Sequence, residues 1–387
     1  MSDSVNVSNI SANSPPPGAF EIPLSITAIR YTYIPIWIML LFFGLFGNAL
    51  TVFVLQAKRL KQSSTSFYLT ALAITDMLYL LTSLVSSIAN FTYFFPFELR
   101  QTSKTFCVLL PFINYTLAYI SVWLLVAVTV ERAIWVVLPF RAHRICTRRT
   151  AKFIVPLLLI VFTILDIHFF ITMRYVQISK DKWICRPNSF TDKVFPYLDL
   201  LLVAVLPCTV MLIANCLIGW KLRVMRKFRT GTLTGSKTLN SNADSTNTEK
   251  KEKSTNLTRM LVSTNVFFII SVTPLLIYDV VFFSIDVKAW AEENEKVRGG
   301  ILFGLERFVY TLWYTNFAIH FLLYCLSGPP FRAEVLVLFN RIRTRFCNTQ
   351  KNPIREQNEV KLVVPEKISA VAPASTIKEV ASRVELF

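Results

Sequence analysis

Cys107 and the pair Glu131-Arg132 stand at the two ends of one long apolar segment, and their side chains could do chemistry there. A helix rises about 1.5 Å per residue, so the stretch from Cys107 to Arg132 would be roughly 36 Å long. The hydrocarbon core of a bilayer is about 30 Å thick, which puts the thiol at one membrane face and the ion pair at the other. Ionisable groups at such a position are costly, and they indicate a functional site. The alternative is that the pair only marks where the helix leaves the membrane.

Catalytic chemistry is not indicated by the other reactive side chains. The three histidines, His143, His168 and His320, lie far apart in the sequence. No metal-binding, phosphate-loop or nucleophile motif stands out. We therefore expect neither an enzyme nor a metal site.

The elements that position these residues are long apolar segments. Hydrophobic residues make up 53% of the 387-residue chain, and its mean hydropathy is +0.48. Segments of about 18 or more apolar residues predict membrane-spanning helices. Seven such segments lie at about 31–57, 66–94, 106–133, 151–174, 195–223, 258–284 and 301–326. The sequence therefore predicts an all-α fold, a bundle of seven transmembrane helices that we number one to seven.

The basic residues indicate how this bundle is oriented, because short cytoplasmic loops carry an excess of Lys and Arg. The basic clusters occur at Lys58–Lys61, Arg141–Lys152, Lys221–Arg229 and Arg332–Arg345, whereas the first 30 residues hold only Arg30. We expect a multi-pass plasma-membrane protein with its N-terminus extracellular, its C-terminus cytoplasmic, and its first segment serving as an uncleaved targeting signal. The net charge of +17 then indicates contact with anionic membrane lipid rather than nucleic acid.

This topology predicts on which side of the membrane each cysteine and each glycosylation sequon lies. Only Cys107 and Cys185 would lie outside the membrane on the oxidising side, so they allow a single intramolecular disulfide. Asn6 and Asn9 begin N-x-Ser/Thr sequons and are predicted glycosylation sites. Cys347, on the cytoplasmic side, is a candidate for palmitoylation. An ordinary free thiol is the alternative at Cys347.

The remaining segments differ from the bundle in composition. Residues 1–30 are polar and Pro-rich and are predicted to be a disordered extracellular tail, before a receptor-like domain over 31–327. A Ser-, Thr- and Lys-rich stretch at about 230–256 is predicted to be a flexible cytoplasmic loop. Residues 328–346 show apolar residues at helical spacing with arginines between them, which predicts a short amphipathic helix on the membrane surface. Residues 347–387 are predicted to be a flexible cytoplasmic tail.

Motifs in the predicted helices carry a family resemblance. They are Gly47-Asn48, Leu72-Ala73-Ile74-Thr75-Asp76, Cys107 to Arg132, Pro207, Phe268 with Pro274, and Tyr324 followed by Phe331-Arg332. In this order and spacing they resemble the rhodopsin-like family of G-protein-coupled receptors over most of residues 31–346. The stretches Ser66–Asp76, Ser121–Arg132 and Asn316–Arg332 look most like invertebrate neuropeptide receptors, in the direction of FMRFamide and myosuppressin receptors.

The chain also departs from the family pattern. Helix four lacks its usual Trp, and other positions that usually hold an aromatic or Asn-Pro are changed to Ala133, Asn215, Val272 and His320-Phe321. These changes leave the expected fold intact. They put the basal activity and the details of switching in doubt.

The resemblance implies three sets of internal site residues. A G-protein switch would consist of Glu131, Arg132 and Tyr324, with Arg132 released when helix six swings outward. A helix-coupling core would consist of Val122, Pro207, Phe268 and Pro274. A mid-membrane polar cluster would consist of Asn48, Asp76, Ser121, Asn316 and His320.

The family uses the mid-membrane cluster to hold a sodium ion, the one cofactor that the resemblance implies. A lone carboxylate at this depth must be paired, hydrated or protonated. We expect His320 to hydrogen-bond Asp76 and to weaken sodium binding. The alternative is a hydrated polar network without an ion.

The outer halves of the helices would form the ligand pocket. Its candidate residues are Asn114, Tyr115, Tyr119, Asp199, Asp279, Glu306, Tyr310 and Tyr314. Three acids and amphipathic tyrosine walls suit an Arg-containing or amidated peptide. The acids could instead be rim residues paired with Arg174, Arg186 or Arg307.

The favoured function is a neuropeptide receptor that activates a heterotrimeric G protein. Arrestin and receptor kinases would act on phosphorylated cytoplasmic segments. An amine receptor and an opsin are disfavoured, because Asn114 stands where amine receptors carry Asp and Tyr314 where opsins carry Lys. A chemosensory receptor for a small molecule is the alternative on the same fold. A transporter is less favoured, since the sequence shows no internal repeat.

Overall fold

The computed structural model describes residues 24–57, 60–91, 99–179, 182–233, 244–284 and 295–351. The chain divides into one unit over Met1–Val335 and a second over Leu336–Phe387. The α-helices in the described residues are α1 (Leu24–Leu55), α2 (Ser64–Tyr79), α3 (Val85–Phe91), α4 (Lys104–Val137), α5 (Pro139–Ile145), α6 (Arg148–Asp166), α7 (Phe169–Thr172), α8 (Ser189–Lys193), α9 (Phe195–Leu200), α10 (Leu206–Leu233), α11 (Asp244–Ser284), α12 (Glu295–Ala318), α13 (His320–Ser327) and α14 (Pro329–Lys351). A short 3₁₀ turn lies at Leu99–Gln101.

Six helical stretches in this part of the chain are long and apolar enough to cross a membrane. We call them helices one to six, and they are Tyr31–Leu55, Ser64–Asn90, Lys104–Val137, Arg148–Thr172, Phe195–Met225 and Thr258–Val281. Helix seven consists of α12 followed by α13, and α12 is less apolar because it contains polar and charged residues such as Glu306, Arg307 and Asn316. The predicted all-α class is confirmed.

Hydroxyl side chains begin three of these helices. Ser63, Ser103 and Thr147 each have extended backbone, and each accepts a hydrogen bond from the amide three residues later, at 3.0, 3.2 and 3.2 Å respectively. Such caps satisfy one of the amides left free in a first helical turn and stabilise it by about 1 kcal/mol. They fix where helices two, three and four start.

Helix three lies at the centre of the bundle. It packs against helices two, four and five, while helix seven packs against helices one and six. Of the most apolar window in helix three, 61% is buried, compared with 17% in helix four. Gly44 allows helix one to approach helix seven closely, since a Cβ atom there would lie 3.1 Å from the backbone of Ala318. Helix three is therefore the element that can connect the two ends of the protein.

Two wide π-turns interrupt helices two and five in the half of the bundle that is predicted to face outward, which we call the outer half. They cover Leu80–Leu84 and Leu201–Val205. The indole Nε1 of Trp123 in helix three donates a hydrogen bond of 3.0 Å to the Leu202 carbonyl inside the second turn. Such turns occur frequently at functional sites because they re-aim the side chains around them.

A β-hairpin covers the outer end of helix three. Strand β1 (Met173–Ser179) pairs antiparallel with β2 (Lys182–Pro187) and places Tyr175 opposite Cys185. Cys185 forms the predicted disulfide with Cys107, with their Cα atoms 5.5 Å apart. The disulfide prediction is therefore confirmed. The hairpin itself was not expected, although the alternating side chains at Val176 and Ile178 are typical of a strand.

Some boundaries differ from the sequence-based prediction. Helix α1 begins at Leu24, inside the predicted tail over 1–30. Helix α11 begins at Asp244, inside the predicted flexible loop, where the Glu- and Lys-rich sequence has good helix propensity. The helix predicted over 328–346 is present as Pro329–Lys351. Asn6, Asn9 and the tail from residue 352 onward lie outside the described residues, and the side chain of Cys347 is not described.

Candidate functional site

A cavity of about 320 Å³ opens between the outer halves of the helices. The disulfide and hairpin anchor the outer end of helix three beside it, and Ser83 and Val203 in the two π-turns contribute to its lining. Of the predicted pocket residues, those that line the cavity are Asn114, Tyr115, Asp199, Asp279, Glu306, Tyr310 and Tyr314. The structure therefore brings together residues from helices three, five, six and seven.

Tyr119 is the exception among the predicted pocket residues. Its ring is fully buried, and it is not part of the cavity lining. Its hydroxyl donates a 2.7 Å hydrogen bond to Oδ1 of Asp199, which does line the cavity. Position 119 lies one helical turn below Tyr115, toward the centre of the membrane. Tyr119 therefore supports the pocket from behind by holding one of its acids.

The three cavity acids have different surroundings. Asp199 is held by Tyr119, and Glu306 forms an ion pair with the neighbouring Arg307 at 2.5 Å. Asp279 lines the cavity without a hydrogen-bond or ion-pair partner among the residues that the structure describes. A half-buried carboxylate in that state attracts a cation or a strong hydrogen-bond donor. The ion-pair alternative considered for the acids applies to Glu306.

Basic and hydroxyl side chains also line the cavity and were not predicted. Arg100, in the 3₁₀ turn before helix three, joins Arg307, so that basic groups partly balance the acids. Ser86 and Ser87 line the wall from helix two, and the Ser87 hydroxyl lies 2.8 Å from the hydroxyl of Tyr314. Arg100 could not be predicted from helical spacing, because it lies in a short 3₁₀ turn outside the long helices. A Ser-rich face in an apolar helix was the available signal for the serines.

An aromatic cluster forms the floor of the cavity. The Trp313 indole donates a 2.7 Å hydrogen bond to the Tyr79 hydroxyl. The Tyr79 ring stacks on Phe317 with centroids 4.0 Å apart. The Phe317 carbonyl accepts a 2.8 Å hydrogen bond from Asn48 of helix one. This cluster links helices one, two and seven directly below the cavity.

The mid-membrane polar cluster is centred on Asp76, which is fully buried. Its Oδ1 accepts a 2.5 Å hydrogen bond from Ser121, and its Oδ2 lies 2.7 Å from Nδ1 of His320. The predicted hydrogen bond between His320 and Asp76 is therefore present. Asn316 does not join this group, because its Oδ1 accepts a 2.7 Å bond from Ser271 in helix six.

Weak sodium binding at Asp76 stays a prediction, and the hydrogen bonds of its carboxylate bear on it. A hard cation requires several free oxygen ligands, whereas both carboxylate oxygens of Asp76 already have partners. Oδ1 of Asn48 is a buried oxygen without a partner in the described part of the chain. No group of three or more His, Cys, Asp or Glu side chains that could hold a metal occurs among the described residues.

The predicted coupling core is packed inside the bundle. Val122, Pro207 and Phe268 are buried, and Val272 is fully buried at the position where the family usually has Trp. Pro274 lies within helix six, where it removes one backbone hydrogen bond of the helix. These positions agree with a packing role, and a coupling role for them stays a prediction.

The inner end of helix three holds the predicted switch residues. Arg132 and Glu131 are both buried, with Nη2 of Arg132 3.9 Å from Oε1 of Glu131. The Glu131 carboxylate also accepts hydrogen bonds from Ser64 and, at 3.3 Å, from Thr65 at the start of helix two. The hydroxyls of Ser64 and Thr65 therefore hold Glu131 toward helix two. The Tyr324 hydroxyl is buried without a hydrogen-bond partner in the described residues.

A second polar link joins helices three, five and six one turn above Arg132. The Thr129 hydroxyl donates a 2.9 Å hydrogen bond to Oδ1 of Asn265, and Nδ2 of Asn265 donates a 3.2 Å bond to Oδ1 of Asn215. Thr129 and Asn265 are almost completely buried. We call these three residues the inner polar link. Asn215 stands where the family usually has an aromatic residue, and its partners were not predicted.

Residues 47–319 match the model of the 7 transmembrane receptor (rhodopsin family). This match covers more than half of the chain, so the protein belongs to the rhodopsin family of seven-transmembrane receptors. The predicted seven-helix fold is confirmed, as is the prediction that the chain is not an enzyme.

Among the curated relatives, neuromedin-U receptor 1 of Mus musculus is 34% identical over 120 residues, which is 31% of this chain and 26% of the relative. The same receptor of Rattus norvegicus is 33% identical over 120 residues, 31% of this chain and 27% of the relative. Neuromedin-U receptor 2 of Homo sapiens is 28% identical over 132 residues, 34% of this chain and 29% of the relative. The matches thus span less than a third of these receptors.

Proposed function

We propose that this protein is a neuropeptide-activated receptor that signals through a heterotrimeric G protein. The observation that carries the proposal is the placement of helix three. Its outer half forms the cavity wall at Asn114 and Tyr115, and its inner end holds Glu131 and Arg132. A ligand in the cavity therefore contacts the same rigid helix that presents the switch residues.

The ligand chemistry follows from the acids of the cavity. Asp279 offers a carboxylate without a partner in the described residues, and Asp199 has one oxygen bound to Tyr119. A guanidinium or amidated terminus would supply the donors that these groups lack. The relatives named above are peptide receptors, which supports a peptide. Within that class, the resemblance of the helix motifs favours an amidated peptide of the FMRFamide or myosuppressin kind.

The orientation belongs to the proposal as well. Arg141, Arg144 and Arg148 follow the end of helix three that holds Arg132, so we place this end at the cytoplasm and the cavity outward at the plasma membrane. The sequons at Asn6 and Asn9 are then on the glycosylated side. Phosphorylation of the Ser- and Thr-rich cytoplasmic segments would recruit arrestin after receptor kinases act. Cys347 would be palmitoylated on the same side.

In the resting state, the inner polar link and the hydrogen bonds of Glu131 hold the inner ends of the helices together. Ligand binding at helices six and seven would favour an arrangement in which helix six moves away from helix three. Arg132 would then become available to the G protein. Sodium would contribute little to the resting state, because His320 occupies the carboxylate that an ion would need.

The test is G-protein activation in cells that express the full chain, with a panel of Gα subunits. The peptides are FMRFamide-like and myosuppressin-like amides, neuromedin-U and other amidated neuropeptides. We expect a peptide response that disappears in Arg132→Ala. Asp279→Asn should raise the peptide concentration for half-maximal response by about tenfold or more, because a charge-assisted bond is worth roughly 1.5–3 kcal/mol.

Two controls make the result decisive. Thr273→Val changes an exposed residue of helix six whose hydroxyl bonds only its own helix, and it should leave the response intact. Surface expression is measured for every variant. Silence from all peptides at normal surface expression would reject the peptide proposal in favour of a small-molecule ligand, which a cavity of about 320 Å³ also admits. A peptide response that Asp279→Asn leaves unchanged would reject the proposed counter-ion.

A further inference from the structure

A shallow apolar groove of about 320 Å³ runs between helices three and five in the half of the bundle that contains Arg132. Its floor is formed by small side chains, because Ala133 and Ala214 are buried where larger residues would fill the space. Exposed branched residues form its rims, including Leu138 directly after helix three and Ile213 and Leu217 on helix five. The groove faces outward from the bundle, toward the hydrocarbon of the membrane.

The groove leads toward basic side chains at its inner end. Lys221 follows Leu217 by four residues, so it continues the same face of helix five. On the other side, Arg141 is exposed, and its amide donates a 3.0 Å hydrogen bond to the carbonyl of the rim residue Leu138. No acidic residue occurs in 133–149 or 206–225. The end of the groove is therefore positively charged.

Trp220 marks the depth of this end in the membrane. Its side chain is 60% exposed and stands next to Lys221. Exposed tryptophans at the ends of membrane helices lie at the level of the lipid headgroups. Lys221 and Arg141 are thus placed to meet a headgroup, and the alanine floor is placed to meet an acyl chain.

We propose that this groove is a binding site for one anionic glycerophospholipid of the adjacent leaflet, the cytoplasmic leaflet in the orientation proposed above. One acyl chain lies along Ala133 and Ala214, and the phosphate and any headgroup carboxylate bind Lys221 and Arg141. The match is one of charge and shape: an apolar groove with a basic end fits a lipid whose anionic head sits above an apolar chain. A zwitterionic lipid fits the groove but gains less from its basic end.

The experiment uses the purified full chain, stripped of lipid in detergent, and counts bound lipids by native mass spectrometry. The probes are phosphatidylserine and phosphatidylcholine with identical acyl chains. We expect the first phosphatidylserine to bind at least several-fold more tightly than phosphatidylcholine. Lys221→Gln and Arg141→Gln should each reduce this preference about fivefold, the usual effect of one basic side chain near a membrane surface.

Matched controls separate a defined site from general attraction. Arg223 is exposed two residues after Lys221 but on a different face of helix five, so Arg223→Gln should change the preference less than twofold. Ala214→Phe fills the groove and should weaken both lipids, whereas Cys216→Phe, at an exposed position of the same helix, should not. If the Ala214→Phe variant does not fold, Ala214→Leu replaces it as a variant that fills less of the groove.

Three results would overturn the proposal. The first is equal binding of the two lipids, which would mean that no headgroup site exists. The second is an equal loss in Lys221→Gln and Arg223→Gln, which would mean that the attraction comes from the whole basic surface. The third is an unchanged affinity in the folded groove-filling variants, which would mean that the acyl chain lies elsewhere. Disulfide cross-linking of two copies through Ile213→Cys in native membranes would assign the groove to a second copy of the chain.

Discussion

Replacing Asn265 by Leu should raise ligand-independent signalling, because it removes both hydrogen bonds of the inner polar link. Asn265 is the central member, accepting from Thr129 on helix three and donating to Asn215 on helix five. Leu has the same number and branching of side-chain heavy atoms as Asn but no polar atom, so it removes these two bonds while it keeps the branched shape. Thr129 retains its 2.8 Å bond to the Leu125 carbonyl of its own helix. Both lost bonds involve Asn265 of helix six, which is the helix that moves in the proposed active state.

The expected increase in ligand-independent signalling follows from the free energies of hydrogen bonds measured inside membrane proteins. Such bonds average about 0.6 kcal/mol each, so two of them contribute about 1.2 kcal/mol to the resting state. That value corresponds to roughly an eightfold change in the equilibrium between the resting and active states. A receptor that is about 1% active without ligand would then be about 7% active. Thr129→Val and Asn215→Leu each remove one of the bonds and should give about a threefold change.

The assay is nucleotide exchange on the G protein in membranes without ligand, normalised to receptor number. Thr273→Val serves as the control, since its hydroxyl bonds only the Ile269 carbonyl of the same helix. The double variant Thr129→Val, Asn265→Leu should signal no more than Asn265→Leu alone, because both remove the same contact. Basal signalling of Asn265→Leu within the range of the control variant would refute the idea that the link holds the resting state.

Three further predictions test other parts of the structure. His320→Asn should create a sodium-dependent loss of agonist affinity that the original chain lacks, as measured by radioligand binding with and without physiological NaCl. Burial, and then the charge of Glu131, raise the pKa of the Cys146 thiol to about 11. Because only the thiolate reacts, iodoacetamide should modify Cys146 about a hundredfold more slowly at neutral pH than it modifies an unperturbed thiol. The Glu131→Gln variant should react faster than the original chain. Gly44→Ala should lower the thermal midpoint by crowding helix seven at 3.1 Å, whereas Gly219→Ala, with no neighbour within 4 Å, should not.

Much of the fold was predictable because the hydropathy of a sequence is enough to identify membrane-spanning helices. The disulfide was predictable for a similar reason, since topology left Cys107 with one partner, Cys185. Boundaries were harder. Helix α1 extends back to Leu24, although the membrane does not require it, and the hairpin over Met173–Pro187 depends on pairing between strands that hydropathy does not report.

The site residues divide in the same way. Side chains on regular helices, such as Asp279 and Tyr310, could be assigned to the cavity from helical spacing and family resemblance. Arg100 could not, because a loop has no periodicity that would aim its side chain. Tyr119 was predicted to line the cavity but lies one helical turn below it. The direction of an aromatic ring in a packed helix depends on neighbours such as Asp199. The hydrogen-bond partners of Asn265 lie on two other helices. They depend on how the three helices pack together, and this packing cannot be predicted from any one segment of the sequence.

Three of the departures from the family pattern, Val272, His320 and Asn215, bear on how the helices are connected through the bundle. Val272 removes an aromatic from helix six, while Trp313 and Phe317 of helix seven form the cavity floor with Tyr79. Immediately below, His320 replaces a small amide and ties helix seven to the buried carboxylate of helix two. A ligand that moves the floor would therefore act first on helix seven. Helix six would follow through the bond between Ser271 and Asn316, and the inner polar link would set how readily it separates from helix three.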